Sequence, residues 1–142
     1  MPLEIPDSQT SPAGPTVLIV EDNFLIALSL AEDLKAAGFC IAGPAASVAE
    51  AVRVLAQRTV DAVLLDVDLG QELSFPVAAC LTLRKIPFAF LTSYPVVEIR
   101  RAFPMAVIFG KPADVGAVTD GLQALIAQAD VRRRPTPSSF PS

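Results

Sequence analysis

The chain has 142 residues, 52% of them hydrophobic and 18% charged, with a formal net charge of −4, which suits one globular domain and leaves no room for a second. The acidic balance argues against a nucleic-acid binder, which needs a basic surface to displace counterions, and no apolar stretch has the length of a membrane span or the order of a signal peptide, so a cytoplasmic protein with no membrane partner is expected. There is no histidine, which removes His-based metal ligation, a Ser-His-Asp triad and a histidine phosphodonor from the chain's own repertoire.

Residues 1–15 hold four prolines among Ser, Thr, Gln and Gly, a composition that cannot offset the entropy of ordering, and a disordered leader is expected there. The domain is expected over 16–129 and a disordered tail over 130–142, with Arg132-Arg133-Arg134 a solvated end rather than a binding patch.

Five apolar runs punctuate the domain: Val17–Val20, Phe39–Ala42, Ala62–Leu65, Phe88–Leu91 and Ala106–Phe109. None alternates, so each is expected to be a strand buried on both faces, as in a parallel sheet covered by helices. The first intervening helix is expected over Asn23–Ala37, with Ile26, Leu30 and Leu34 inward and Gly38 as its stop. The second opens on the capping box Ser47-Val48-Ala49-Glu50 and turns Val48, Ala51, Val52 and Leu55 inward. Ser74 is placed to cap a third, with Pro76 in its first turn, ending near Arg84. A short fourth spans Val96–Ala102, and a fifth starts at an Asp114 cap with Val118, Leu122, Leu125 and Ile126 facing in. Cys40 and Cys80 lack metal or redox spacing and are expected to be reduced, buried small hydrophobes.

Strand and helix thus alternate five times with no hairpin signal. Right-handed crossovers then give an α/β fold of the flavodoxin-like (βα)5 type, a three-layer sandwich whose parallel sheet has the common order 2-1-3-4-5.

In such a sheet all strand C-termini share one edge, where ligands bind. Glu21 and Asp22 follow the first strand, Asp66 and Asp68 the third, Thr92 and Ser93 the fourth, and Gly110, Lys111 and Pro112 the fifth. Taken singly, each has an ordinary explanation as a turn or helix start. Together they place complementary charges in one crevice. Carboxylates about 4 Å apart repel by roughly 4 kcal/mol at an effective dielectric near 20, and a divalent cation removes that cost. Oxygen donors without histidine or thiolate favour a hard ion such as Mg²⁺ with waters remaining. Thr92 offers a hydroxyl and Lys111 a cation, and with the metal they suit a phosphoryl group on Asp66.

The motifs Val20-Glu21-Asp22, Leu65-Asp66, Leu91-Thr92-Ser93 and Lys111-Pro112 resemble those of receiver domains of two-component response regulators, over about residues 16–128. The resemblance implies a phosphoacceptor at Asp66, served by a sensor histidine kinase or a histidine phosphotransfer protein, and Mg²⁺ held by Glu21, Asp22, Asp66 and the backbone carbonyl of Asp68. It also implies a switch hydroxyl at Thr92, a charge partner at Lys111 and a cis bond from Lys111 to Pro112. The stretch from Pro87 to Tyr94 is similar to the Pro-Phe-x-Phe-Ala-Thr-Gly-Tyr signature of stand-alone alphaproteobacterial receivers called the FAT GUY family, with Leu91 and Ser93 in place of Ala and Gly. Two positions depart from the general receiver pattern: Gly70 stands where many receivers have proline, and Ile108 where many have the aromatic that rotates on activation. Tyr94 or Phe109 is the candidate replacement for that aromatic. Asp68 and Tyr94 are candidates for tuning hydrolysis of the acyl phosphate.

The reading is therefore a phosphoacceptor rather than a turnover enzyme, without an output domain. It signals through the face of the fourth helix, fifth strand and fifth helix to a downstream protein or a second copy. The rival is a haloacid-dehalogenase-like phosphatase, which shares Asp66-x-Asp68, Thr92 and Lys111 in type and order but places its Asp-x-Asp after the first strand. A receiver-like interaction module that is never phosphorylated is the third reading. A flavin-binding flavodoxin is weaker, since no Ser/Thr/Gly-rich phosphate loop follows the first strand.

Overall fold

A computed structural model describes residues 14–133. Five strands, β1 (Thr16–Val20), β2 (Cys40–Ala45), β3 (Ala62–Leu65), β4 (Phe88–Thr92) and β5 (Val107–Gly110), alternate with five helices, α1 (Phe24–Ala36), α2 (Val48–Gln57), α3 (Phe75–Arg84), α4 (Val96–Ala102) and α5 (Val115–Arg133). All pairings are parallel and the order is β2-β1-β3-β4-β5, the flavodoxin-like arrangement expected from the alternation. Among the described residues no helix is long and apolar enough to cross a membrane.

Side-chain alternation along each strand splits the core into two layers. Leu18, Val20, Val63, Leu65 and Phe90 pack with Ala51, Leu55, Val77, Leu81 and Ile99 of α2, α3 and α4. Val17, Ile19, Leu64, Ala89 and Leu91 pack with Ala31 and Leu34 of α1 and with Val118 and Leu122 of α5.

Burial on both faces holds for β1, β3 and β4 and fails for β2 and β5. These are the two edges, where one flank of the strand faces no neighbour. β2 also outruns its expected end: it passes through Gly43 (φ +82) and a cis Gly43-Pro44 bond to Ala45. Ala45 O there accepts the Glu21 N–H at 2.9 Å, so the outermost strand reaches the acidic edge.

Two inward faces are also corrected. In α1 the buried residues are Ala27, Ala31 and Leu34, while Ile26 is exposed and Leu30 only partly buried, because an apolar helix offers several candidate stripes and only the one with small residues fits close to the sheet. In α2, Val52 lies at the stripe's margin and is exposed, and Val54 packs instead. In α5 the expected face holds: Val118 and Leu122 are buried, Leu125 and Ile126 pack half-buried against the same layer, and Ala129 is buried as well. That helix continues to Arg133, so residues 130–133, expected in the tail, are helical. The rest of the expected leader and tail, residues 1–13 and 134–142, lies outside the described residues. Cys40 and Cys80 are free but half-buried rather than buried.

Candidate functional site

Strand register sets the site before any side chain is placed. Val20 pairs with Leu65, so the next residues, Glu21 and Asp66, emerge side by side. Thr92 pairs with Gly110, so Lys111 follows beside it, and the Lys111 N–H donates to Thr92 O at 3.0 Å. Glu21, Asp22, Asp66, Asp68, Thr92, Tyr94 and Lys111 line one crevice of about 540 Å³. Phe109 is not among its lining residues. It lies in the α1/α5 layer, where a Cβ on Gly121 would stand 2.5 Å from its ring, because alternation along β5 sends it away from Ile108.

Asp66 and Glu21 are buried, at 8% and 4% exposure. The Lys111 Nζ donates to Asp66 Oδ2 at 2.8 Å and to Glu21 Oε1 at 2.7 Å. Glu21 Oε2 accepts the Asn23 N–H at 3.0 Å. Burial pushes the Glu21 carboxyl above its ordinary value; the Lys111 and Asn23 hydrogen bonds oppose this without cancelling it. Burial pulls the Lys111 ammonium down, and the bonds and charges of Asp66 and Glu21 outweigh it, so its pKa is raised. Among the described residues Asp66 Oδ1 accepts no hydrogen bond, which leaves it as the oxygen open to a reacting group.

Glu21, Asp22 and Asp66 each place a carboxylate oxygen within 4.8 Å of the other two. These three carboxylates against Lys111 leave the cluster two negative charges in excess, and Asp68 at the crevice adds a fourth carboxylate. An all-oxygen donor set with that excess fits a hard divalent cation.

Asp68 is exposed, and its Oδ1 accepts the Gly70 N–H at 2.9 Å. Gly70 has φ +87, a conformation closed to proline, and a Cβ there would stand 2.9 Å from Asp22 Oδ2. The glycine lets the turn fold tightly against the acidic pair. Thr92 is buried, and its Oγ1 accepts the Tyr94 N–H at 3.1 Å. The Tyr94 ring stands edge-on to Phe75, with centroids 6.0 Å apart.

Some participants are invisible to sequence reasoning. Ser74 occupies the N-cap position of α3 but makes no capping bond. Its Oγ donates to Asp66 O, tying the start of α3 to the reactive residue. Glu72 Oε2 accepts the Val48 N–H at 2.9 Å, so the loop after Asp66 satisfies a free amide of α2. A hydroxyl or carboxylate near a helix start is the only sequence signal for either, and it does not name the partner.

No family model matches the chain, and neither does any curated protein. Solved structures do. The signal receiver domain of a modulated diguanylate cyclase from Desulfovibrio desulfuricans G20 is 29% identical over 84% of this chain and 98% of its own, with a TM-score of 0.75. The response regulator receiver domain of Erythrobacter litoralis PhyR is 26% identical over 87% and 96%, with a TM-score of 0.71. A response regulator from Burkholderia pseudomallei, solved with a phosphorylated aspartic acid, a calcium ion and citrate, is 22% identical over 84% and 72%, with a TM-score of 0.71. The fold is thus a parallel three-layer sandwich with an acidic crevice at the strand C-termini. It is the fold of response regulator receiver domains, and these likenesses support a response regulator role.

Proposed function

We propose that this chain is a response regulator receiver that accepts a phosphoryl group on Asp66 from a histidine kinase or histidine phosphotransfer protein and signals in the cytoplasm through protein contacts. The observation that carries the reading is the Lys111 ammonium bridging Asp66 and Glu21 beside Asp22. In the transfer the donor's P–N bond breaks and a P–O bond forms at Asp66 Oδ1. Glu21, Asp22, Asp66 and the Asp68 carbonyl would hold Mg²⁺, which would supply charge neutralisation for the phosphoryl oxygens. Lys111 neutralises a further oxygen, and the Thr92 hydroxyl donates to another.

Reaching a phosphoryl oxygen on Asp66 swings the Thr92 Oγ1 away from the Tyr94 N–H, whose hydrogen bond it accepts. Losing that bond frees the loop before α4, and Tyr94 then repacks on Phe75. This route replaces the aromatic that Ile108 lacks and leads to the face of α4, β5 and α5, where a downstream protein or second copy docks. A shift from 1:99 to 99:1 needs roughly 5.5 kcal/mol of differential stabilisation, so the partner supplies part of it. The stretch Pro87–Tyr94 supports a place in the FAT GUY subgroup. Hydrolysis of the acyl phosphate is slow, with Asp68 and Tyr94 flanking the water's approach.

Incubation with Mg²⁺ and acetyl phosphate tests this. The expected result is an acid-stable, base-labile phosphoryl adduct that is absent in Asp66→Asn. Catalytic release of phosphate from many monoesters would instead establish the dehalogenase-like phosphatase. No adduct on the wild-type chain would leave an unphosphorylated interaction module.

A further inference from the structure

At the opposite edge of the sheet, where the strands begin, the C-terminal ends of α3, α4 and α5 enclose a groove of about 860 Å³. Its apolar floor includes Phe88 and Phe103, both half-buried, and its lip carries Met105 at 91% exposure. Its cations are Lys85, Arg132 and Arg133, and no carboxylate lines it. Among the described residues Lys85 and Arg132 form no ion pair, and Arg133 reaches only the exposed Asp130, at 3.8 Å.

Cations at helix C-termini have a local explanation, since they complement the helix dipole. That explanation accounts for their place in sequence. It does not account for the exposed Met105 beside the half-buried rings of Phe88 and Phe103, apolar surface that costs hydration free energy where it is uncovered. In a chain of net charge −4, this is a positively charged pocket with an apolar floor. Charge and shape therefore select an occupant with carboxylates spaced around one or two apolar side chains. A nucleic acid would need stacking platforms, whereas these rings are turned into the core, with Phe88 and Phe103 packed on each other at 6.1 Å and 89°.

We infer that this groove is a docking site for an acidic, apolar-anchored segment of a partner protein, with Phe88, Phe103 and Met105 taking the anchor and Lys85, Arg132 and Arg133 the carboxylates. Its occupancy does not depend on modification of Asp66.

The chain contains two methionines, Met1 and Met105, so ¹³C-methyl-methionine labelling of the full chain gives one reporter in the groove, assigned by Met105→Leu. The probe is a fluorescein-labelled twelve-residue peptide in which Asp and Glu surround one Phe and two Leu. Controls replace its apolar residues by Ser or its acids by Lys. The expected result is movement of the Met105 resonance and at least tenfold tighter binding than either control. Lys85→Glu with Arg132→Glu, both at exposed positions, is expected to weaken binding tenfold or more, as is Met105→Asp alone, with unchanged circular dichroism. Equal binding of the Ser control, an unmoved Met105 resonance, or binding indifferent to both variants would overturn the inference. So would tighter binding to anionic vesicles or single-stranded nucleic acid, or a Met105 resonance that shifts with protein concentration alone and so assigns the groove to a second copy.

Discussion

Replacing Lys111 by methionine keeps the length of the side chain and removes its charge. The ammonium lies 2.7 Å from Glu21 Oε1 and 2.8 Å from Asp66 Oδ2, with the lysine side chain 21% exposed and the two carboxylates 3% and 9%. Removing one partner of a buried ion pair costs about 3–5 kcal/mol, and the open fifth of the lysine places this case near the lower figure. For a domain of this size each kcal/mol moves the melting temperature by about 4 °C, so a fall of ~12 °C is expected in EDTA. A divalent cation supplies the missing counter-charge, so Mg²⁺ is expected to raise the melting temperature of the variant more than that of the wild type. The assay is thermal denaturation followed by far-UV circular dichroism with EDTA and then with Mg²⁺. The pH dependence has a defined sign. Lys111 is raised from its ordinary 10.5, so its contribution is complete below that pH and is lost as pH rises through the folded value. Glu21 is raised from 4.5, so the unfolded chain releases its proton first and metal-free stability falls as pH rises upward from 4.5. Without the opposing Lys111 bond that fall is steeper in the variant. A melting temperature within about 2 °C of wild type in EDTA, or a Mg²⁺ shift no larger than wild type's, would refute the charge argument built on this burial.

Gly70→Ala forces a side chain to φ +87 and crowds Asp22; a loss of about 1–2 kcal/mol is expected in urea denaturation, with weaker Mg²⁺ binding by titration. Gly121→Ala gains helix propensity but drives a methyl into the Phe109 ring, and overpacking of about 1–3 kcal/mol against a gain of about 1 gives net destabilisation; a more stable variant would contradict that contact. Phe75→Leu loses ring contacts to Phe90, Tyr94 and Phe103 at 6.3, 6.0 and 5.7 Å, so a loss of about 2 kcal/mol is expected from a lower urea midpoint. Under the proposed route it also blunts the Tyr94 fluorescence change on phosphorylation while leaving adduct formation intact.

The central strands were legible because burial on both faces demands uninterrupted apolar runs, and Val17–Val20 and Ala62–Leu65 are such runs. Helix starts with a local capping pair were equally legible: Ser47 Oγ accepts the Glu50 N–H and Asp114 Oδ2 the Ala117 N–H. The inward stripe of α1 was not, since Phe24, Leu25, Ile26 and Leu28 are all exposed hydrophobics on a helix apolar on most sides. Periodicity chooses a face only when the opposite face is polar. The extension of β2 to Ala45 was hidden by Gly43-Pro44, residues that ordinarily end a strand.

By itself the sequence determined the alternation of elements and which residues stand at strand ends, because these follow from apolar periodicity and turn residues. The strand order was the common one for such an alternation, and the structure has it. Only the tertiary structure decided that Lys111 binds Asp66 and Glu21 together, that Ser74 serves Asp66 rather than its own helix, and that Phe109 turns away from the crevice. Those facts depend on strand register and side-chain direction across segments up to 90 residues apart. Local pattern cannot encode them, because the partner of a hydrogen-bonding group is set by packing and not by its neighbours in the chain.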